Sequence, residues 1–152
     1  MILITLATFI VMEMITWLTH KYVMHGFLWT LHEDHHDYKH KHVLEKNDLF
    51  FVIFATPSII LSYLGAYYEE YNYLLYIGIG IMAYGFAYFV VHDIIIHQRF
   101  KLFTRSTFFY IVAIRKAHKM HHKNQGKEES QCFGMLYVPL KYFREALRNP
   151  TN

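Results

Sequence analysis

The sequence predicts an all-α integral membrane protein: three spanning helices plus an interfacial or re-entrant helical segment, with a histidine-rich cap on the cytoplasmic side. Three observations carry this. Apolar runs occupy Met1–Thr19, Leu49–Tyr67 and Tyr73–Val91, each about 19 residues long. At ~1.5 Å rise per residue, each reaches across roughly the ~30 Å hydrocarbon core of a bilayer. All 15 Lys and Arg fall within residues 21–46 or 99–148, and with three spans those two stretches emerge on one side, which the positive-inside rule makes cytoplasmic. Finally, 12 of the 152 residues are histidine, and most of them follow the first and third runs.

The first run ends in no small-residue cleavage site and no Lys or Arg precedes it, so it reads as a retained span and not as a signal peptide. It carries one acid, Glu13, expected as a protonated group hydrogen-bonded to a neighbouring helix, with a supporting role at a metal also open because His20 lies two turns on. Residues 20–47 form a polar cytoplasmic segment. Asp48 is placed to cap the second span, which contains Pro57. Residues 68–72 make a tight connector with Glu69 and Glu70, and Tyr67, Tyr68, Tyr71, Tyr73 and Tyr76 cluster where an aromatic belt would lie. In the third span, Gly78, Gly80 and Gly85 permit close helix approach. The short apolar patch Thr107–Ile114 is the interfacial or re-entrant candidate, and a basic helix is expected near Leu140–Arg148. Nothing marks a second domain, so residues 1–152 read as one.

Composition excludes several classes. The net charge of +3 is mild, and no basic stripe with interleaved stacking aromatics lies outside the spans, so nucleic acid is not indicated. The single cysteine, Cys132, supplies neither an internal disulfide nor an iron–sulfur cluster. No G-x-G-x-x-G is present, so the chain carries no dinucleotide fingerprint.

Ten of the histidines form a pattern. His20 and His25 stand as H-x4-H, followed by His32, His35 and His36 as H-x2-H-H. His92 and His97 repeat the first spacing; His118, His121 and His122 repeat the second. Positions i, i+3 and i+4 share one face of an α-helix, so each triplet can aim three rings at one point. The pairs are harder: residues five apart lie about 140° apart on a straight α-helix, so either the helix distorts or the two rings serve different metals. Ten imidazoles exceed one ion's needs and suit two metals with five or six ligands each, although imidazole alone does not choose among Zn, Cu, Fe and Ni. Glu33, Asp34, Asp37 and Asp93 are interleaved as acceptors for ring N–H groups. His40 and His42 stand outside the pattern and read as solvated loop residues.

The stretches HKYVMHGFLWTLHEDHH, EKNDLFFVIFA, AYGFAYFVVHDIIIHQRF, AHKMHH and GKEESQCFGMLYVP resemble the fatty acid hydroxylase and sterol desaturase superfamily of membrane diiron enzymes, and within it the bacterial β-carotene 3-hydroxylases. The likeness runs from about Glu13 to Pro139. It implies two non-haem iron ions held by His20, His25, His32, His35, His36, His92, His97, His118, His121 and His122. It also implies O2 as co-substrate, a carotenoid whose β-ionone rings are hydroxylated at C3, and reduced ferredoxin or a similar carrier as electron donor. A bacterial inner membrane is the expected location. Arg115, Lys116, Lys119, Lys123 and Lys127 are a candidate dock for that carrier, or an anchor to anionic lipid. Alternatives are a carotenoid ketolase, a fatty acid or sterol hydroxylase or a desaturase of the same design, and, outside enzymes, a membrane metal transporter or a b-type cytochrome.

Overall fold

A computed structural model describes residues 1–37, 44–124, 126 and 128–150. Helix α1 (Ile2–Leu18) runs without a break into a π-helical segment, Thr19–Phe27; α2 (Trp29–His36) follows. A 3₁₀ turn (Lys46–Asp48) leads into α3 (Leu49–Tyr67), and a second one (Glu69–Tyr71) into α4 (Asn72–Tyr88). Helix α4 continues as a second π-helical segment, Phe89–Ile96, before α5 (Phe109–Lys123) and α6 (Leu140–Arg148). No strand occurs among the described residues.

Three continuous helices, Ile2–Phe27, Lys46–Tyr67 and Glu69–Ile96, are long and apolar enough to cross a membrane; the protein is an integral membrane protein. The first and third outrun the apolar stretches because each π segment prolongs its helix into the histidine pair. Helix α4 packs against both α1 and α3, and two of its glycines explain how. A Cβ on Gly78 would lie 2.7 Å from the Ser58 carbonyl oxygen of α3, and one on Gly80 would lie 2.6 Å from Thr8 Cβ of α1. Their bare backbones let both neighbours close in. Gly85 is different: a Cβ there meets nothing within 4 Å.

The patch expected as an interfacial or re-entrant segment forms the opening turns of α5. Ile111, Val112, Ala113 and Ile114 are buried, and Val112, Ala113 and Ile114 form a core with Ala117, Val138, Tyr142 and Ala146. Protein covers these side chains; Phe100, Leu102, Phe103, Phe108 and Phe109, which precede them in the chain, are exposed. Helix α6 packs on α5 through this core, which holds the second triplet against the ends of the spans. The expectation for His40 and His42 falls outside the described residues.

Candidate metal centre

The H-x4-H spacing is explained by the π segments. In a π-helix the N–H of residue i+5 bonds to the carbonyl of residue i, so residues five apart are drawn toward one face. Here the His97 N–H donates to the His92 carbonyl at 2.8 Å, and the Leu28 N–H to that of Val23 at 3.0 Å. The helix distorts, and each pair serves one group.

Potential ligand atoms of His20, His25, His32, His36 and His121 all lie within 4.8 Å of one another; those of His35, His97, His118 and His122 do the same. His92 joins the second group through His35, their Nε2 atoms 3.0 Å apart. All ten are thus brought together, though not as the triplets suggest. Each triplet divides. Its i and i+4 rings stay with the pair from their own half of the chain, and its i+3 ring crosses over: His35 to the second group, His121 to the first. Triplet rings aimed at a single point are therefore corrected by the structure. The α-helical stagger of about 100° per residue lets one short helix face two centres on either side.

Eight of the ten rings are buried, His97 and His122 less so. Burial and the neighbouring imidazoles hold His35, His36, His97, His118 and His121 well below the usual imidazole range. Burial likewise brings His32 down to about 3 and His122 to about 4. These rings are neutral at pH 7, the form in which a metal is ligated.

Acceptors fix several tautomers. His20 Nδ1 donates to the Phe133 carbonyl (2.9 Å), His32 Nδ1 to Asn47 Oδ1 (2.7 Å), His35 Nδ1 to Glu45 Oε2 (2.8 Å) and His121 Nδ1 to the Gln131 carbonyl (3.0 Å). With the proton on Nδ1, each Nε2 bears a lone pair. His20 Nε2 and His32 Nε2 nevertheless face each other at 3.1 Å. Two lone pairs at that distance make no hydrogen bond; a cation between them resolves the contact. The donor set, ten imidazoles with most Nε2 atoms turned inward, fits transition metals.

The acceptors are only partly those read from the sequence. Asp93 lies beside His92, Oδ2 to Nδ1 at 3.5 Å. Glu33 and Asp34 turn away from the rings. Glu33 pairs with the Lys46 ammonium at 3.4 Å, and Asp34 accepts from the Lys46 N–H at 2.7 Å. Together they clamp the 3₁₀ turn that presents Glu45 and Asn47. Those two escaped the sequence reading, as did Arg99. The Arg99 guanidinium donates to Asp48 (2.9 Å) and ion-pairs with Glu45 (2.8 Å) and Asp93 (3.0 Å). Its position directly after H-x4-H-Q was the available signal.

Beside the second group opens a cavity of about 310 Å³, walled by α1, α3 and α4. Met12, Thr16, Phe54, Ile81, Tyr84 and Gly85 lie along it, and His92, Asp93 and Arg99 stand at its head. The open space over Gly85 belongs to this cavity. Tyr88 also lines it, its ring 4.8 Å from that of His92. The expected basic dock loses Arg115, which is buried and donates to the carbonyls of Ile95 and Phe103 (2.8 and 2.9 Å). Lys116 donates to the Asn149 carbonyl, Lys119 and Lys123 remain exposed on α5, and residue 127 lies outside the described residues.

The chain is 40% identical to a β-carotene hydroxylase of Paracoccus sp. (strain PC1), over 90% of this chain and 83% of that one. It is 45% identical to one from Pantoea ananas (90% and 77%) and 40% identical to one from Pseudescherichia vulneris (90% and 76%). No solved structure matches. The family model described as fatty acid hydroxylase matches residues 5–140, and with histidines, spans and relatives in agreement, the chain belongs to the fatty acid hydroxylase family.

Proposed function

We propose that this protein is a non-haem diiron monooxygenase that hydroxylates C3 of the β-ionone rings of β-carotene, through β-cryptoxanthin to zeaxanthin. His20, His25, His32, His36 and His121 hold one iron, and His35, His92, His97, His118 and His122 the other. The observation that carries the reading is the junction of two largely buried imidazole groups with an apolar cavity that reaches into the spans.

An unactivated ring C–H offers no proton acidic enough for a side-chain base and no leaving group. Two irons supply the means to cleave O2 and oxidise such a bond, chemistry that side chains lack. The balance is one C–H, one O2, two electrons and two protons, giving one C–OH and one water. The chain's residues do the rest. Met12, Phe54, Ile81 and Tyr84 offer apolar and aromatic walls to a hydrocarbon ring. At the lower end of ligand-pocket volumes, the cavity suits one end group and leaves the polyene to extend along the spans. His92 reaches both the cavity and the second group, so a ring seated there lies beside the reacting centre. Glu45, gathered on Arg99 with Asp93 and Asp48, holds the imidazole of His35, and Asp93 stands beside that of His92.

The two electrons come from a separate carrier, reduced ferredoxin or a similar protein, since the chain has no nucleotide fingerprint and no cysteine cluster. The histidine cap faces the cytoplasm, where the Lys and Arg lie and where such a carrier is found. The test is pigment analysis of a host that accumulates β-carotene and expresses this chain. Zeaxanthin with transient β-cryptoxanthin is expected; ketocarotenoids, or unchanged β-carotene beside well-folded protein, would overturn the assignment.

A further inference from the structure

Glu13 is the lone acid of the first span, and the proposed centre does not use it. A carboxylate in a spanning helix is costly, so what it binds is informative. Its Oε1 accepts three consecutive backbone N–H groups, from Met135, Leu136 and Tyr137, at 2.9, 3.0 and 3.0 Å. Its Oε2 accepts from the Tyr84 hydroxyl at 2.7 Å. The hydrogen bond to a neighbouring helix expected from sequence is present, through Tyr84 of α4, and three further contacts fix the chain at residues 135–137. Successive N–H groups turned on one oxygen form an anion nest. The chain can come this close because residue 134 is glycine: a Cβ there would lie 2.8 Å from Oε1.

What Glu13 anchors leads straight to the histidines. One residue upstream of Gly134, the Phe133 carbonyl accepts from His20 Nδ1 at 2.9 Å. The Phe133 ring stands edge-on to His20, His25 and His121, with centroids 5.6, 5.2 and 5.2 Å away. Cys132, at φ 61°, occupies the left-handed region that few non-glycine residues adopt, and there the chain turns so that Phe133 faces the site. We infer that Glu13 is a positioning residue for the first histidine group: it pins the strap 133–137 so that Phe133 sets the tautomer and tilt of His20. Through Tyr84, the same carboxylate ties the strap to the cavity wall.

The inference rests on reading the first group as a metal site, and its test separates the two. Full-length protein in detergent is compared with Glu13→Leu, Glu13→Gln and Gly134→Ala by two readouts: amide exchange at 135–137, and iron retained per chain against a chelator. In Glu13→Leu, exchange at those amides accelerates and iron retention at one of two sites weakens by roughly 10–100-fold, the usual effect of losing a partner of a ligating histidine. Glu13→Gln retains an oxygen for the three N–H groups and turns its amide NH2 toward Tyr84, so it restores both readouts. Gly134→Ala keeps the acid but pushes the strap outward, and must lose iron as the leucine variant does, which settles the matter should Glu13→Leu not fold. Iron retained as in wild type by Glu13→Leu or Gly134→Ala would overturn the inference and leave Glu13 a fastening of the fold. A wild-type protein that binds no iron would instead overturn the metal reading, while amide exchange still reports on the strap.

Discussion

In the first histidine group three ring N–H groups, those of His20, His121 and His32, rest on neutral acceptors: the Phe133 and Gln131 carbonyls and the Asn47 side chain. In the second they meet charge, with Glu45 on His35, Asp93 beside His92, and Arg99 binding both carboxylates and Asp48. His92 of the second group lines the cavity directly, whereas the first group meets it only through Asn47, the partner of His32. Two groups with the same histidine plan thus differ in what stands behind them. A carboxylate behind an imidazole raises its basicity as a ligand, whereas a carbonyl mainly orients it. Three carboxylates against one guanidinium leave the second group's surroundings negative, which offsets the charge that neutral imidazoles leave on a divalent metal. On the proposed reading, the difference teaches that the second group would hold a metal through charge beside the cavity, and the first through geometry.

The largest expected effect comes from the crossing histidines. His121→Ala and His35→Ala each remove the one ring that a group draws from the other half of the chain. Both should abolish hydroxylation and lower iron content, with the protein still in the membrane fraction. Full activity in either variant would count against the centre. Next, Glu45→Gln and Asn47→Ala should divide the loss. Each should weaken metal retention by roughly 10–100-fold, the first at the second group and the second at the first; chelator titration monitored spectroscopically distinguishes them, and identical profiles would erase the contrast drawn here. Gly85→Leu should come third. It fills the open space in the cavity and displaces the substrate ring, lowering turnover of β-carotene by roughly 10–100-fold with iron content unchanged.

The smallest and broadest effect is that of pH on the metal-free protein. The folded-state imidazoles of His35, His36, His97, His118 and His121 lie below their unfolded value of about 6.5, with His32 at about 3 and His122 at about 4. A depressed imidazole leaves the unfolded chain binding more protons as pH falls. Stability is therefore fully present above about pH 6.5 and declines from there toward pH 4 and below. Thermal unfolding of chelated protein at stepped pH checks the sign; a midpoint that rises on acidification would contradict it.

The spans and all ten histidines of the two groups were legible in the sequence because hydropathy and ligand identity belong to single residues. The sharing of the rings was not. His35 and His121 look like ordinary members of their triplets, and only the placement of α2 and α5 between two centres sends them across. The pairs posed a choice that periodicity could not make, since α-helical geometry parts residues five apart and the π segments draw them toward one face. Asn47 and Glu45 were missed because they reach His32 and His35 from the 3₁₀ turn before α3, 15 and 10 residues along the chain. The Phe133 and Gln131 carbonyls were missed because every residue carries such a group. Glu13 was noticed as an anomaly of the first span, but its partners lie 71 to 124 residues away.

The central claim is the crossing of the middle histidines between two metal groups. Anomalous scattering at the iron edge from crystals of the iron-loaded protein tests it most directly. The account predicts two iron peaks, one ligated by His121 together with His20, His25, His32 and His36, the other by His35 together with the second-half rings. A single peak, or two peaks with each triplet wholly on one iron, would contradict it.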